Sequence, residues 1–168
     1  MNENLNGIVV VNKEQGYTSH DVVNILRKKY KIKKVGHTGT LDPNATGVLP
    51  VCFGSATKVA DMITLSDKEY IAEMILGKTT DTQDIWGKVI SQKDARVSQK
   101  DFENVIMSFC GTVTQIPPMF SAIKVNGKKL YEYARAGIEI ERKKRVVDIK
   151  EIEILNLTEN TAKFRVKS

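Results

Sequence analysis

GHTGTLDPNATGVLP, residues 36–50, has neither a helical period nor the alternation of a strand. Three glycines let this backbone bend and approach a ligand closely, and Pro43 biases Asp42 away from the α region. The expectation is a loop over residues 35–50, without a regular strand, that displays one carboxylate, Asp42. The same residues also fit a large structural turn in which Asp42 and Thr40 hydrogen-bond nearby backbone amides. The stretch has no GxxxxGK[ST] spacing, and neither GxGxxG nor G-x-S-x-G occurs in the chain, so a nucleotide P-loop, a dinucleotide fingerprint and a serine-hydrolase elbow are unsupported.

Regular elements lie on both sides of the loop. Before it, residues 7–12 (GIVVVN) form a β-branched run suited to a buried strand, followed by a polar turn over 13–17. Thr18 and Asp21 have capping-box spacing, and Val22, Val23, Ile25, Leu26 and Tyr30 recur at helical intervals. After the loop, the pattern predicts a helix over 55–65, a strand over 68–76, a polar loop over 79–84 and the start of a strand over 88–91. It then predicts a helix over 98–109, capped by Ser98 and stopped by Gly111. Asn126-Gly127 after residues 123–125 signals a tight hairpin, and 130–136 reads as a short helix closed by Gly137. Residues 146–155 and 162–166 read as two strands joined by a turn at Glu159-Asn160. This order predicts an α+β fold with a mixed, largely antiparallel sheet flanked by helices. No repeat, low-complexity tract or Pro/Gly/Ser linker divides the chain, so one folding unit over 1–168 is expected.

The 168 residues, 41% of them hydrophobic and 27% charged, are enough for a real core and exclude a disordered or collagen-like chain. No apolar run approaches the roughly 18 to 20 residues of a membrane span, and residues 1–7 are polar, which places the expected protein in the cytoplasm. Cys52 and Cys110 sit among apolar neighbours without metal-ligand spacing, so buried free thiols are expected and a zinc site is not. The +6 formal charge is concentrated at Lys28, Lys29, Lys31, Lys33 and Lys34 and again at Arg142, Lys143, Lys144 and Arg145. Such clusters favour a nucleic-acid partner, although solvated surface faces would look the same.

The ordered set of motifs resembles the bacterial tRNA pseudouridine-55 synthases, the TruB family. GHTGTLDPNATGVLPVCFGSATK, residues 36–58, is similar to that family's second motif almost residue for residue. KEQGYTS, residues 13–19, resembles its first motif, KPxGxTS, with Glu14 in place of the usual proline. Asp67-Lys68-Glu69-Tyr70 is similar to DKxY, TTDTQDIWG (79–87) also fits, and residues 117–135 resemble PPxxSAxKxxGxxLYxxAR. In the family, the strand equivalent to 162–166 leads into S-x-G-T-Y-I-R with an essential arginine, and often into a small RNA-binding PUA domain. Since the sequence ends at Ser168, the expectation is a catalytic domain incomplete at its C-terminal end and without a PUA domain.

The resemblance implies a uridine-to-pseudouridine isomerase acting on the T arm of tRNA by base flipping. No cofactor, metal, membrane or obligate protein partner is implied. By resemblance Asp42 is the catalytic aspartate, Tyr70 stacks on the target uracil and is placed to take the ribose proton, and Asp84 is a second active-site carboxylate. From the residues alone, Tyr70 is equally an ordinary half-buried strand aromatic and Asp84 a solvated turn residue. His37 in the family fills the gap left by flipped bases, while on its own it is a loop histidine. Lys13 and Lys58 read as structural or phosphate contacts, His20 as surface, and the lysines from Lys28 to Lys34 as phosphate contacts. The competing expectation is an RNA-binding or tRNA-folding module that performs no turnover.

Overall fold

The computed structural model describes residues 5–168, in which every strand pair is antiparallel and helices accompany the sheets, an α+β fold as expected. The polar character of residues 1–7 remains a reading of sequence, because the first four lie outside the described residues. The chain divides into two compact units, Met1–Ser66 and Asp67–Ser168, a division that no linker composition marks.

In the first unit, β1 (Gly7–Lys13) leads to α1 (Ser19–Tyr30), followed by β2 (Val35–His37) and β3 (Gly47–Phe53). A 3₁₀ turn, Gly54–Val59, and α2 (Ala60–Thr64) close the unit. β3 is the central strand of the order β1-β3-β2. Its alternate residues Leu49, Val51 and Phe53 face Val22 and Val23 of α1 and Ile32, and Leu41 packs against this core from the glycine-rich loop. Short β2 and the start of β3 correct the expectation of an unbroken loop over 35–50: pairing to β3 orders 35–37, and only 38–46 stays irregular. Pro50 is tolerated in β3 because it lies just beyond the last residue that pairs with β2. The expected helix over 55–65 begins instead as a 3₁₀ turn, drawn tight where Thr57 Oγ1 donates to the Gly54 carbonyl at 2.8 Å.

The α1 capping box forms as the spacing predicts. The Asp21 amide donates to Thr18 Oγ1 at 3.0 Å, while Asp21 Oδ2 accepts from the Thr18 amide and hydroxyl. The hydroxyl bond and then the amide bond hold the Asp21 carboxyl below its ordinary range. A depressed carboxyl adds stability above its unfolded value, about 3.9, which is lost as pH falls through the lower folded value. Asp21→Asn is therefore expected to lower the melting temperature at neutral pH, with the difference vanishing in strong acid. A gap that persists unchanged at pH 2 would refute this account.

In the second unit, β4 (Glu69–Ile75), β5 (Lys78–Thr80) and β6 (Val89–Gln92) precede α3 (Gln99–Met107). There follow β7 (Gly111–Gln115), β8 (Lys124–Val125), β9 (Lys128–Lys129), α4 (Leu130–Arg135), β10 (Arg145–Ile149), β11 (Glu151–Leu157) and β12 (Thr161–Lys167). β12 is central in the order β11-β12-β4, and one face of this sheet packs on Phe102 and Ile106 of α3. On the other face Arg165 bonds Glu69, Glu151 and Glu153 at 2.6 to 3.0 Å, tying the three strands together.

The expected single strand over 146–155 is two strands in different sheets. Ile149 and Ile152 both pack into the core although an odd spacing puts them on opposite faces of a straight strand, so the chain kinks at Lys150. β7, absent from the sequence reading, is the partner of β10. The polar stretch 79–84 begins within β5. Cys52 is buried as expected, which pushes its thiol pKa up, but Cys110 is exposed beyond the end of α3. Among the described residues no helix is long and apolar enough to cross a membrane.

Candidate active site

Asp42 is exposed at the centre of the 38–46 loop, and its backbone is held on both flanks. On one side the Leu41 side chain packs into the core, the Leu41 amide donates to Ser19 Oγ at 2.9 Å, and Ser19 Oγ donates to the Leu41 carbonyl at 3.2 Å. On the other side the Pro43 carbonyl accepts from the Gly16 amide at 2.8 Å and from Lys13 Nζ at 3.2 Å. The loop closes on itself where the Ala45 amide reaches the Asp42 carbonyl at 3.0 Å. Only backbone atoms of Asp42 are engaged in this way. Among the described residues its carboxylate accepts no hydrogen bond, so the displayed carboxylate, not the self-satisfied turn, is what the loop builds.

Lys13 is fully buried, and its ammonium also donates to the carbonyls of Glu14 at 3.1 Å and Tyr17 at 2.7 Å. Three carbonyls occupy its three donors, so of the two readings of Lys13 the structural one holds and the RNA contact does not: it fastens the 13–17 turn to the Asp42 loop. Ser19 and Gly16 hold the backbone of the Asp42 loop, contacts that the individual residues do not announce. The available signal was their place in KEQGYTS, where a helix-opening serine follows a glycine turn and a lysine.

Thr38, the first residue of the loop, is buried, with its amide on the Pro50 carbonyl at 3.1 Å and its carbonyl accepting from Thr64 Oγ1 at 3.0 Å. Immediately before it, His37 is half-buried, and its Nδ1 is enclosed without a hydrogen-bond partner among the described residues. This enclosed, unsatisfied nitrogen is a polar burial cost carried at the head of the Asp42 loop.

Lys28, Lys29, Lys31, Lys33 and Lys34 are all exposed. A left-handed Lys31 ends α1, and the Ile32 amide returns to the Arg27 carbonyl at 3.2 Å while its side chain enters the core. This Schellman-type reversal gathers the five lysines at the end of the helix. Lys58, on the 3₁₀ turn, and His20 are exposed as well. In the second basic block Arg142 is half-buried on the Pro117 carbonyl and Arg145 bonds Gln115, which leaves Lys143 and Lys144 in solvent.

In the second unit Tyr70 is 43% exposed in β4, opposite Val166 of β12 and in phase with Ala72 and Met74. The ladder fixes its backbone and leaves the ring partly open. Asp84 lies in the turn between β5 and β6, where its Oδ1 accepts from Thr82 Oγ1 at 2.7 Å and from the amides of Trp86 at 2.9 Å and Gly87 at 3.0 Å. Asp84 thus organises its own turn. A methyl group on Gly87 would collide with Thr82 Oγ1 and Asp81 Oδ1, so the close turn needs glycine. Gly87→Ala is expected to cost about 1 to 3 kcal/mol of stability and to shift the emission of Trp86, the single tryptophan. Unchanged emission and stability would show that the turn absorbs the methyl.

An apolar cleft of about 580 Å³ between α3 and its sheet is lined by Met74, Phe102 and Phe164 and holds none of the candidate residues. Among the described residues no three His, Cys, Asp or Glu side chains group as metal ligands.

Comparison with known proteins bears on these groups. Residues 27–168 match the family described as TruB family pseudouridylate synthase (N terminal domain). A protein of Listeria welshimeri named tRNA pseudouridine synthase B is 58% identical over 146 residues, covering 86% of this chain and 48% of that relative. One of the same name from Alkaliphilus oremlandii is 51% identical over 162 residues, covering 96% and 54%. The chain thus spans about half the length of these relatives. Among solved structures, a Cbf5-Nop10-Gar1 complex matches with a TM-score of 0.71 and 31% identity, over 96% of this chain and 39% of that one. An H/ACA RNP bound to a substrate RNA containing 2′-deoxyuridine matches at 0.67 and 26%, over 96% and 37%.

Proposed function

Because the chain belongs to the TruB family of pseudouridylate synthases, we propose that it carries catalytic machinery for converting a uridine of tRNA, uridine-55 of the T arm, to pseudouridine. The observation that carries this reading is the Asp42 loop, which presents an exposed carboxylate from a backbone fastened at Leu41 and Pro43. The reaction breaks the bond from ribose C1′ to uracil N1, joins C1′ to C5, releases the C5 hydrogen as a proton and returns one to N1. Nothing is consumed, so the stoichiometry demands no cofactor.

The target base must leave its stack before any of this can happen, and flipping costs a few kcal/mol that protein contacts return. Asp42 serves as nucleophile or as the charge that stabilises the detached sugar. A covalent ribose adduct, a base adduct and a glycal-type path each need the same thing from it, an ionised carboxylate at a fixed position. Tyr70 offers a half-open ring to stack on uracil and a hydroxyl to take a ribose proton, while half-buried His37, at the head of the Asp42 loop, fills the gap left by displaced bases. Asp84 orders the turn that bears it and keeps its second oxygen for nucleotide or arginine contacts. The exposed lysines from Lys28 to Lys34 and Lys58 supply backbone affinity that falls with salt.

Tritium release from a T-arm stem-loop labelled at C5 of uridine tests the reading, since C5 loses its hydrogen only when the new carbon–carbon bond forms. Release that depends on Asp42, from the chain alone or within a full-length protein, supports it. Saturable stem-loop binding that survives Asp42→Asn with no release in either form would identify an RNA-binding module instead.

A further inference from the structure

Of the four residues Asp67-Lys68-Glu69-Tyr70, only the tyrosine has a part in the proposed chemistry. The other three hold the strand that carries it. β4 lies at the edge of its sheet, paired there with β12 alone, and Tyr70 is its second residue. Before it come only the Glu69–Lys167 pair and the mutual bonds of Lys68 and Ser168, whose amides donate to each other's carbonyls at 2.8 and 3.0 Å. A strand end with so few bonds opens easily, and a tyrosine placed there inherits that freedom.

Side chains cross the sheet at this end. Lys150, in the kink between β10 and β11, donates its amide to the Lys167 carbonyl at 2.8 Å and its ammonium to Asp67 Oδ1 at 2.5 Å. It thereby spans β12 and fastens the lead-in of β4 to the far strand. Asp67 Oδ2 also faces Lys167 Nζ at 4.0 Å, and Glu69 meets Arg165 Nη1 at 3.0 Å. The Lys150 bond holds the Asp67 carboxyl below its ordinary range, and the same bond raises the lysine. Ile149 and Ile152, on either side of the kink, are packed into the core, so the strap has a fixed base.

We propose that Asp67 and Lys150 are positioning residues for Tyr70, clamping the start of β4 so that the ring keeps one orientation toward the reacting nucleotide. The use made of that orientation rests on the proposed function, whereas the clamp rests on the contacts alone. With 43% of its surface open, Tyr70 is held less by packing than by its backbone. An exposed ion pair adds little to global stability, yet a reacting group displaced by about 1 Å can lose on the order of 10²-fold in rate. The strap is therefore expected to show in turnover and not in melting.

The chain has five tyrosines, so fluorotyrosine labelling gives five ¹⁹F lines, and Tyr70→Phe assigns the one that matters. Spectra, melting temperature, stem-loop affinity and tritium release are compared for the wild type, Asp67→Ala, Lys150→Met and Lys150→Arg, in the form that releases tritium. Asp67→Ala and Lys150→Met should each shift and narrow the Tyr70 line alone and lower kcat about fivefold, with near-wild-type melting. Lys150→Arg keeps the charge and should restore both the line and kcat. An unchanged Tyr70 line in both disrupting variants would overturn the inference and leave the proposed function standing. So would tighter stem-loop binding by Asp67→Ala at full kcat, which would make Lys150 a phosphate contact that Asp67 restrains. A Tyr70 line that moves while kcat does not would also overturn it, because the strap would then position nothing the reaction uses. Absence of release from the wild type, as this chain and at full length, defeats the proposed function itself, and the inference with it.

Discussion

Asp42→Asn is expected to lower tritium release on the order of 10³-fold or more while leaving both stability and stem-loop affinity close to wild type. Asparagine has the shape of aspartate, so the reversals at Leu41 and Pro43 stay in place. What it lacks is negative charge and a nucleophilic oxygen, and every path considered for glycosidic cleavage draws on one or the other. The folded state should hardly notice the change. The Asp42 side chain is exposed and accepts no hydrogen bond among the described residues, and exposed substitutions of that kind lie within about 0.5 kcal/mol. Three measurements therefore separate the interpretations: release rate, stem-loop affinity and melting temperature. Release near the wild-type rate would remove Asp42 from the chemistry. A fall in melting temperature matching the loss of activity would instead make it a residue of the loop's architecture.

The parts of this molecule that were legible in its sequence are those fixed by neighbours in the chain. The Thr18 and Asp21 capping box, the Ser98 cap and the Asn126-Gly127 hairpin each depend on residues a few positions apart, and each forms as the spacing predicts, whereas the strand expected to be buried over 7–12 forms as β1 at the sheet's edge, with Ile8, Val9 and Val10 exposed. Strand 146–155 divides for a reason no local window contains: β10 leaves to pair with β7, more than thirty positions earlier, while β11 pairs onward with β12. Short β2 exists only because β3 offers it an edge. The site shows the same divide. Glycines and Pro43 announce a displayed Asp42, but nothing in composition announces that Ser19 brackets Leu41 or that a lysine is fully enclosed, since lysine is among the residues least often buried. Cys110 errs in the opposite direction, its apolar neighbours Phe109 and Val113 giving no sign that the end of α3 leaves it in solvent.

Lys13→Met is expected to destabilise the first unit by about 3 kcal/mol, the largest stability effect among the substitutions considered. Methionine keeps most of the length and volume of the side chain, so the change isolates the ammonium. Without it the carbonyls of Glu14, Tyr17 and Pro43 lose a donor, Glu14 and Tyr17 within the turn and Pro43 next to Asp42. Release of the lysine's own burial cost offsets part of this, which keeps the net well below three separate hydrogen bonds to a charge. Turnover should fall further than the folded fraction does, because Pro43 retains only the Gly16 amide and Asp42 is no longer held to the ångström that a reacting carboxylate requires. Ser19→Ala isolates the other flank. It removes both bonds to Leu41 but keeps Leu41 packed in the core, so it should reduce turnover with a smaller change in stability. Urea denaturation, with release rates measured where each variant is fully folded, checks both. The salt dependence of stem-loop binding supplies an independent discriminant. An enclosed Lys13 touches no phosphate, so Lys13→Met should leave the slope of log affinity against log salt unchanged, whereas a lost phosphate contact would reduce it by roughly 0.7 to 0.9. Wild-type stability together with that reduced slope would return Lys13 to the RNA surface and leave the Asp42 loop to be positioned by Ser19 and Gly16 alone.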